Sequence, residues 1–157
     1  LNRLHAEGVQ IKVLGRRSGL PEDILKLIRR AEERTAENSQ FHLNIAFNYG
    51  ARDEIVRAVQ ELSKRAIAGE LMPEDISENE IEAELFTAGQ KAPDLLVRTS
   101  GEYRLSNFLL WQLAYTELYF TDKLWPDFDG GDLAEAIENY AQRQRRFGGV
   151  IAKAVTN

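Results

Sequence analysis

Short apolar runs separated by helix-length segments constrain the fold of this chain more than any other feature. Residues 10–14 alternate as a strand does, 41–47 form a second run, and 95–98 and 118–121 repeat the pattern further along. Helical periodicity fills the intervals. Pro21 opens a helix whose Ile24, Leu25, Leu27 and Ile28 make one stripe, while its end at 32–38 reads as solvated surface. A second helix follows the turn Asn48-Tyr-Gly50 and places Ile55, Val56, Val59 and Leu62 on one face. Residues 69–77, with Pro73, read as a loop, and a short helix is expected over 78–86. Another is expected over 107–114, and a last one over 132–146 with Leu133, Ala136, Ile137 and Tyr140 inward, after breaks at Pro126 and Gly130-Gly131. This order predicts an α/β fold with a parallel sheet flanked by helices. With 157 residues, 43% of them apolar, and no linker that divides the chain, a single domain over 1–157 is expected.

The third run delivers Arg98 to the carboxyl end of a strand, where open parallel sheets bind ligands. The stretch Arg98-Thr-Ser-Gly-Glu-Tyr-Arg-Leu-Ser-Asn-Phe108 then sets two guanidinium groups, a hydroxyl and a flexible glycine ahead of an expected helix start. Gly101 permits a tight reversal, and Ser106 or Asn107 can cap that helix, whose free N–H groups favour negative charge. Arginine forks suit a diphosphate, because each donates two parallel hydrogen bonds and stays protonated. The competing reading is an ordinary loop ion pair of Arg98 or Arg104 with Glu102.

Composition narrows the partners. A formal charge of −5 argues against a general nucleic-acid binder and leaves room for a local basic pocket, so a small anion is the expected partner. The absence of cysteine removes disulfides and thiolate metal sites and fits a cytoplasmic protein. His5 and His42 stand apart, with no second ligand at metal-binding spacing, and read as surface or strand-edge residues. No apolar run reaches the ~18 residues needed to span a membrane.

The run from Arg98 to Phe120 closely resembles the late signature of the cis-prenyltransferases, above all the bacterial undecaprenyl diphosphate synthases. The resemblance continues through Leu124-Trp-Pro-Asp-Phe128 to Arg145-Arg-Phe-Gly-Gly149, and upstream through Leu43-Asn-Ile-Ala-Phe-Asn-Tyr-Gly-Ala-Arg52 to Val13-Leu-Gly15. It implies a Mg²⁺-dependent transferase that condenses isopentenyl diphosphate with an allylic diphosphate to make a cis-polyprenyl carrier lipid. It further implies a homodimer and a product that brings the enzyme transiently to the membrane. On the matching positions, Arg98, Arg104, Leu105 and Ser106 bind the isopentenyl diphosphate and Glu117 helps hold the metal. Read without the resemblance, Glu117 is a strand-edge or paired acid. Asn48 to Arg52 fits a structural turn better than a ligand contact. The apolar stretch from Phe108 to Leu113 reads as core, or as a subunit contact. Arg145 to Gly149 reads as a cationic helix end with its glycine stop, or reaches a partner's site.

The departures from the family pattern matter as much. The aspartate-bearing Asp-Gly-Asn-Gly-Arg-type loop and the Asn-Trp pair of the family are missing; Gly15-Arg-Arg-Ser-Gly19 matches neither that loop nor a Walker motif. Tyr103 stands where some members have histidine. Residues 1–8 read as the last turns of a helix whose beginning is absent. The expectation is therefore the C-terminal part of a cis-prenyltransferase, lacking the first strand and helices, with no catalytic residue of its own and inactive alone. A non-catalytic, dimerising partner subunit of the same fold is the alternative, and an unrelated small phosphate-binding domain a third.

Overall fold

The computed structural model describes residues 1–143, which fall into two compact units, Leu1–Gln90 and the chain from Lys91 onward. The expected helical residues 144–146 and the motif from Arg145 to Gly149 lie outside the described residues.

The first unit runs α1 (Asn2–Ala6), β1 (Val9–Leu14), α2 (Glu22–Thr35), β2 (Phe41–Ala46), α3 (Ala51–Ile67), a 3-10 turn at Pro73–Asp75 and α4 (Glu78–Glu84). β1 and β2 pair in parallel, Val9 opposite Phe41 and Leu14 opposite Ala46, with α2 as the crossover. Val9, Ile11 and Val13 are buried while Gln10 and Lys12 between them are only partly so, the alternation of a strand with one face in the core, and Leu14 is buried at its end. The polar end of α2 is solvated at Glu33, Arg34 and Glu37, as its charges suggest, but Glu32, Thr35 and Asn38 turn to β1. The buried Thr35 hydroxyl accepts from Ile11 N–H at 3.0 Å and donates to the Ala31 carbonyl at 2.8 Å. Glu32 accepts from Val13 N–H at 2.8 Å, and Asn38 donates to the Val9 carbonyl at 2.8 Å. These side chains satisfy backbone groups of β1 that would otherwise be costly to bury.

α3 turns inward a face that shares Leu62 with its expected apolar stripe but leaves out Val56 and Val59. Ala51, Glu54, Ala58 and Leu62 are buried, whereas Val56 and Val59 stand about half exposed, and Leu27 of α2 is exposed as well. The small Ala51 and Ala58 let the helix approach closely, and Glu54 enters with them because its carboxylate is bonded. Tyr49 Oη and Phe86 N–H each donate to it at 2.6 Å. Arg57 lies over the Phe86 ring, 4.5 Å from its centroid, and donates to the Glu84 carbonyl. α4 is short but well begun: Ser77 and Glu80 form a capping box. His5 and His42 are in polar contact with Asn38 (3.2 Å) and Gln10 (2.8 Å).

The second unit contains β3 (Leu95–Arg98), β4 (Glu117–Phe120), a 3-10 turn at Trp125–Asp127 and α5 (Gly130–Ala141). β3 and β4 are again parallel, Leu95 opposite Glu117 and Arg98 opposite Phe120. Asp129 begins α5 with a capping box to Asp132. Of the four residues expected inward, only Ala136 is buried; Leu133 and Ile137 are about half exposed. The helix expected over 107–114 does not form. Ser106, Asn107 and Leu109 adopt positive φ (51°, 61° and 45°), a conformation that interrupts a right-handed helix. The segment proceeds instead through turns that bury Leu109 and Leu113. Among the described residues no helix is long and apolar enough to cross a membrane.

Candidate functional site

The carboxyl edge of the β3–β4 pair carries the arginine loop. Three backbone bonds clamp its stem to the exit of β4. Thr121 N–H donates to the Arg98 carbonyl (3.0 Å), Gly101 N–H to that of Thr121 (3.0 Å), and Ser100 N–H to that of Lys123 (2.8 Å). The reversal puts Ser100 and Gly101 at φ 68° and 64°. Position 101 tolerates only glycine easily, since an added Cβ would be strained and would stand 3.1 Å from Asp122 Oδ1.

Within the loop, Arg98 Nη2 lies 3.5 Å from Ser106 Oγ, so residues eight apart in sequence meet across it. Leu105 supplies the carbonyl that accepts from Phe108 N–H at 3.1 Å, which folds the loop back at its far end. Arg104 is ion-paired with Glu102 in a solvent-exposed contact. A pair of this kind is worth little, so a ligand with more negative charge can take over the guanidinium. Tyr103 Oη donates to Asp122 Oδ1 at 3.2 Å, and its ring lies 5.3 Å from that of Phe120. The bond to Asp122, and then that carboxylate's charge, holds the Tyr103 phenol above its ordinary range. The helix N-terminus expected to face this loop from residue 107 is missing, because of the left-handed residues there, so anion affinity must come from side chains and loop amides.

Glu117 sits elsewhere. It opens β4 opposite Leu95, at the amino edge of the pair, three residues before Phe120. At roughly 3.3 Å per residue this is about 10 Å of strand away from the arginine end. Its Oε2 accepts from Arg143 Nη1 at 2.8 Å; the same nitrogen donates to the Leu118 carbonyl at 2.9 Å, and Arg143 Nε to Asn139 Oδ1 at 3.0 Å. Arg98, Arg104, Leu105 and Ser106 therefore share one loop, and Glu117 does not join them. Mg²⁺ is usually held by one or two carboxylates with phosphate oxygens and waters. The only predicted carboxylate is engaged by an arginine and lies at the far edge, and no group of three or more His, Cys, Asp or Glu among the described residues can hold a metal. Glu117 and the arginine loop therefore do not form a Mg²⁺ site together among the described residues.

The first unit has its own carboxyl edge, at the end of β1–β2. Gly15, at φ 130°, lies so close to the Phe47 carbonyl that a Cβ would collide with it. Asn48, at φ 51°, donates through Nδ2 to the carbonyls of Arg16 (2.9 Å) and Ser18 (3.4 Å), and Arg16 pairs with Asp53 at 3.0 Å. The Asn48 amide and the Tyr49 hydroxyl thus hold turns together. Asp122 at the arginine loop is not among the residues expected from the sequence; its signal is an acid two residues past the carboxyl end of β4, where parallel sheets place their ligands.

Comparison with known proteins agrees with this architecture. The family model described as putative undecaprenyl diphosphate synthase matches residues 1–148. An isoprenyl transferase of Caulobacter vibrioides is 50% identical over 155 residues, covering 99% of this chain and 60% of that protein. One from Rhizobium meliloti is 54% identical over 147 residues, 94% of this chain and 60% of its own length. Among solved structures, lavandulyl diphosphate synthase from Lavandula x intermedia, in complex with dimethylallyl diphosphate, superposes with a TM-score of 0.86. It is 44% identical, over 89% of this chain and 60% of that one. A probable undecaprenyl diphosphate synthase from Campylobacter jejuni gives 0.80 at 32% identity, over 94% and 66%. The chain thus spans 60% of the length of the two curated relatives.

Proposed function

The chain belongs to the undecaprenyl diphosphate synthase family, and we propose that its arginine loop is the isopentenyl diphosphate site of a cis-prenyltransferase. The supporting observation is the meeting of Arg98 and Ser106 across a loop clamped to the carboxyl edge of a parallel pair, with Arg104 on the same loop. Arg98 and Arg104 present guanidinium forks to phosphoryl oxygens, the Ser106 hydroxyl donates a further bond, and Leu105 shapes the backbone between them. In the intact enzyme the allylic C–O bond breaks and the diphosphate departs with the electron pair. The isopentenyl double bond then supplies electrons for the new C–C bond, and a proton leaves the neighbouring carbon to form the cis double bond. The loop's part is to fix the isopentenyl diphosphate so that its alkene meets the allylic carbon.

The proposal includes a Mg²⁺ requirement with Glu117 as one ligand, which demands that Arg143 release the carboxylate. It also includes a homodimer, a cytoplasmic location and a lipid product that draws the enzyme to the membrane. This chain by itself is proposed not to elongate prenyl diphosphates, since the described residues include no group of three or more His, Cys, Asp or Glu that could hold a metal.

Calorimetric titration with isopentenyl diphosphate tests the site. Arg98→Ala and Arg104→Ala are each expected to remove about 1.5–3 kcal/mol of binding, the usual worth of a charged hydrogen bond, and added salt is expected to weaken binding. Unchanged affinity in both variants refutes the assignment. A protein that dimerises but binds neither diphosphate is the non-catalytic partner subunit instead.

A further inference from the structure

We infer that Asp122 and Tyr103 form a latch that positions the arginine loop; the inference rests on the diphosphate reading of that loop. Non-glycine residues at positive φ are strained and persist only where the surroundings over-determine them. Ser100 and Ser106 within this loop, and Asn107 and Leu109 just after it, are all in that state. The stem bonds account for the start of the loop. Its middle is held at Tyr103, which immediately precedes Arg104.

Tyr103 is fixed at two points. Its ring packs against Phe120, the β4 residue paired with Arg98, and its hydroxyl donates to Asp122 at 3.2 Å. Asp122 is itself part of a braced strap. Thr121 and Lys123 on either side make the stem bonds, and Lys123 Nζ donates to Asp132 Oδ1 and Oδ2 of α5 at 2.8 and 2.7 Å. The stem points the same way, since a Cβ at Gly101 would stand 3.1 Å from Asp122 Oδ1, a tight contact. A carboxylate beside a diphosphate site is electrostatically unfavourable to the ligand. Asp122 therefore acts as an acceptor for Tyr103 and is a positioning residue, and the Tyr103 ring fixes where the Arg104 arm leaves the backbone.

The latch makes a distinctive pattern of variants. Asp122→Asn keeps an oxygen that accepts from the phenol, whereas Asp122→Ala and Tyr103→Phe each remove the bond. Isopentenyl diphosphate and inorganic pyrophosphate are titrated into the full chain and into these variants, with Arg98→Ala as the control. Backbone amide exchange is followed at Ser100 and Gly101. Asp122→Ala and Tyr103→Phe are expected to weaken binding by about three- to tenfold and to speed exchange. Asp122→Asn is expected to stay near the parent, and the double variant to be no weaker than either single one, as for two ends of one contact. Parent-like binding and exchange in Asp122→Ala and Tyr103→Phe, with binding lost in Arg98→Ala, overturns the latch and leaves the diphosphate site standing. If the parent binds neither probe, or Arg98→Ala binds unchanged, the diphosphate reading falls and the inference about ligand positioning falls with it.

Discussion

Replacing Glu54 by alanine probes the packing of the first unit more sharply than any change at its surface. The side chain is 1% exposed and accepts from Tyr49 Oη and Phe86 N–H, both at 2.6 Å. Hydrogen bonds to a charged group contribute about 1.5–3 kcal/mol each, and a buried N–H left without a partner costs about 1–3 kcal/mol. The tyrosine hydroxyl is only partly buried and can turn to water, so its share sits at the low end. Glu54→Ala is therefore expected to lower stability by about 3–4 kcal/mol. Glu54→Gln keeps an acceptor for Phe86 and lets the hydroxyl reorient, which limits the loss to about 0.5–1.5 kcal/mol. Val56→Ala supplies the contrast. Its side chain is 55% exposed, so a loss under about 0.5 kcal/mol is expected, where an inward valine would cost more. Urea unfolding followed by far-ultraviolet circular dichroism at constant pH measures all three. Glu54→Ala within about 1 kcal/mol of the parent, or Val56→Ala as damaging as Glu54→Ala, refutes the buried face assigned to α3.

Incubated with Mg²⁺, farnesyl diphosphate and labelled isopentenyl diphosphate, this chain alone is expected to make no long prenyl product; robust synthesis means that other residues complete the site. Light scattering at micromolar concentration is expected to report a dimer or larger species, and the mass of a single chain at every concentration contradicts that. The hydrogen bond from Lys123 holds the Asp132 carboxyl below its ordinary value of 3.8. A depressed carboxylate contributes stability above its unfolded value and loses it as pH falls through the folded one. Asp132→Asn is thus expected to flatten the acid limb of stability between about pH 5 and pH 2; an acid limb as steep as the parent's rules this out. For the metal, Glu117→Gln is expected to lower the apparent Mg²⁺ affinity of the active enzyme, and an unchanged magnesium dependence removes Glu117 from the site.

Where one residue's neighbours along the chain decided its state, the sequence was sufficient. β3 begins and ends where expected, at Leu95 and Arg98, because a short apolar run bounded by turn residues has few alternatives to a strand. Parallel pairing followed from strands separated by helix-length crossovers, and it brings Arg98 to a carboxyl edge without reference to any distant contact. Arg98 and Ser106 then meet because nine residues of turn-rich chain leave them little room to separate.

Tertiary packing decided the rest. A local pattern cannot tell which helix face is inward when an acid finds two donors, so Glu54 displaced Val56 and Val59 from the interior of the first unit. It cannot foresee that Glu32, Thr35 and Asn38 complete the hydrogen bonding of β1 from a stretch whose other charged residues are surface, as expected. Residues 107–115 are apolar nearly all round and so lack the polar face that would mark a helix or its absence; the left-handed turns there bury Leu109 and Leu113 instead. Glu117 and Asp122 exchange prominence for the same reason. One lies at the amino end of β4 and the other just past its carboxyl end, and only the register of the strand pair, with Arg143 and Tyr103 beside them, determines which acid faces the arginine loop.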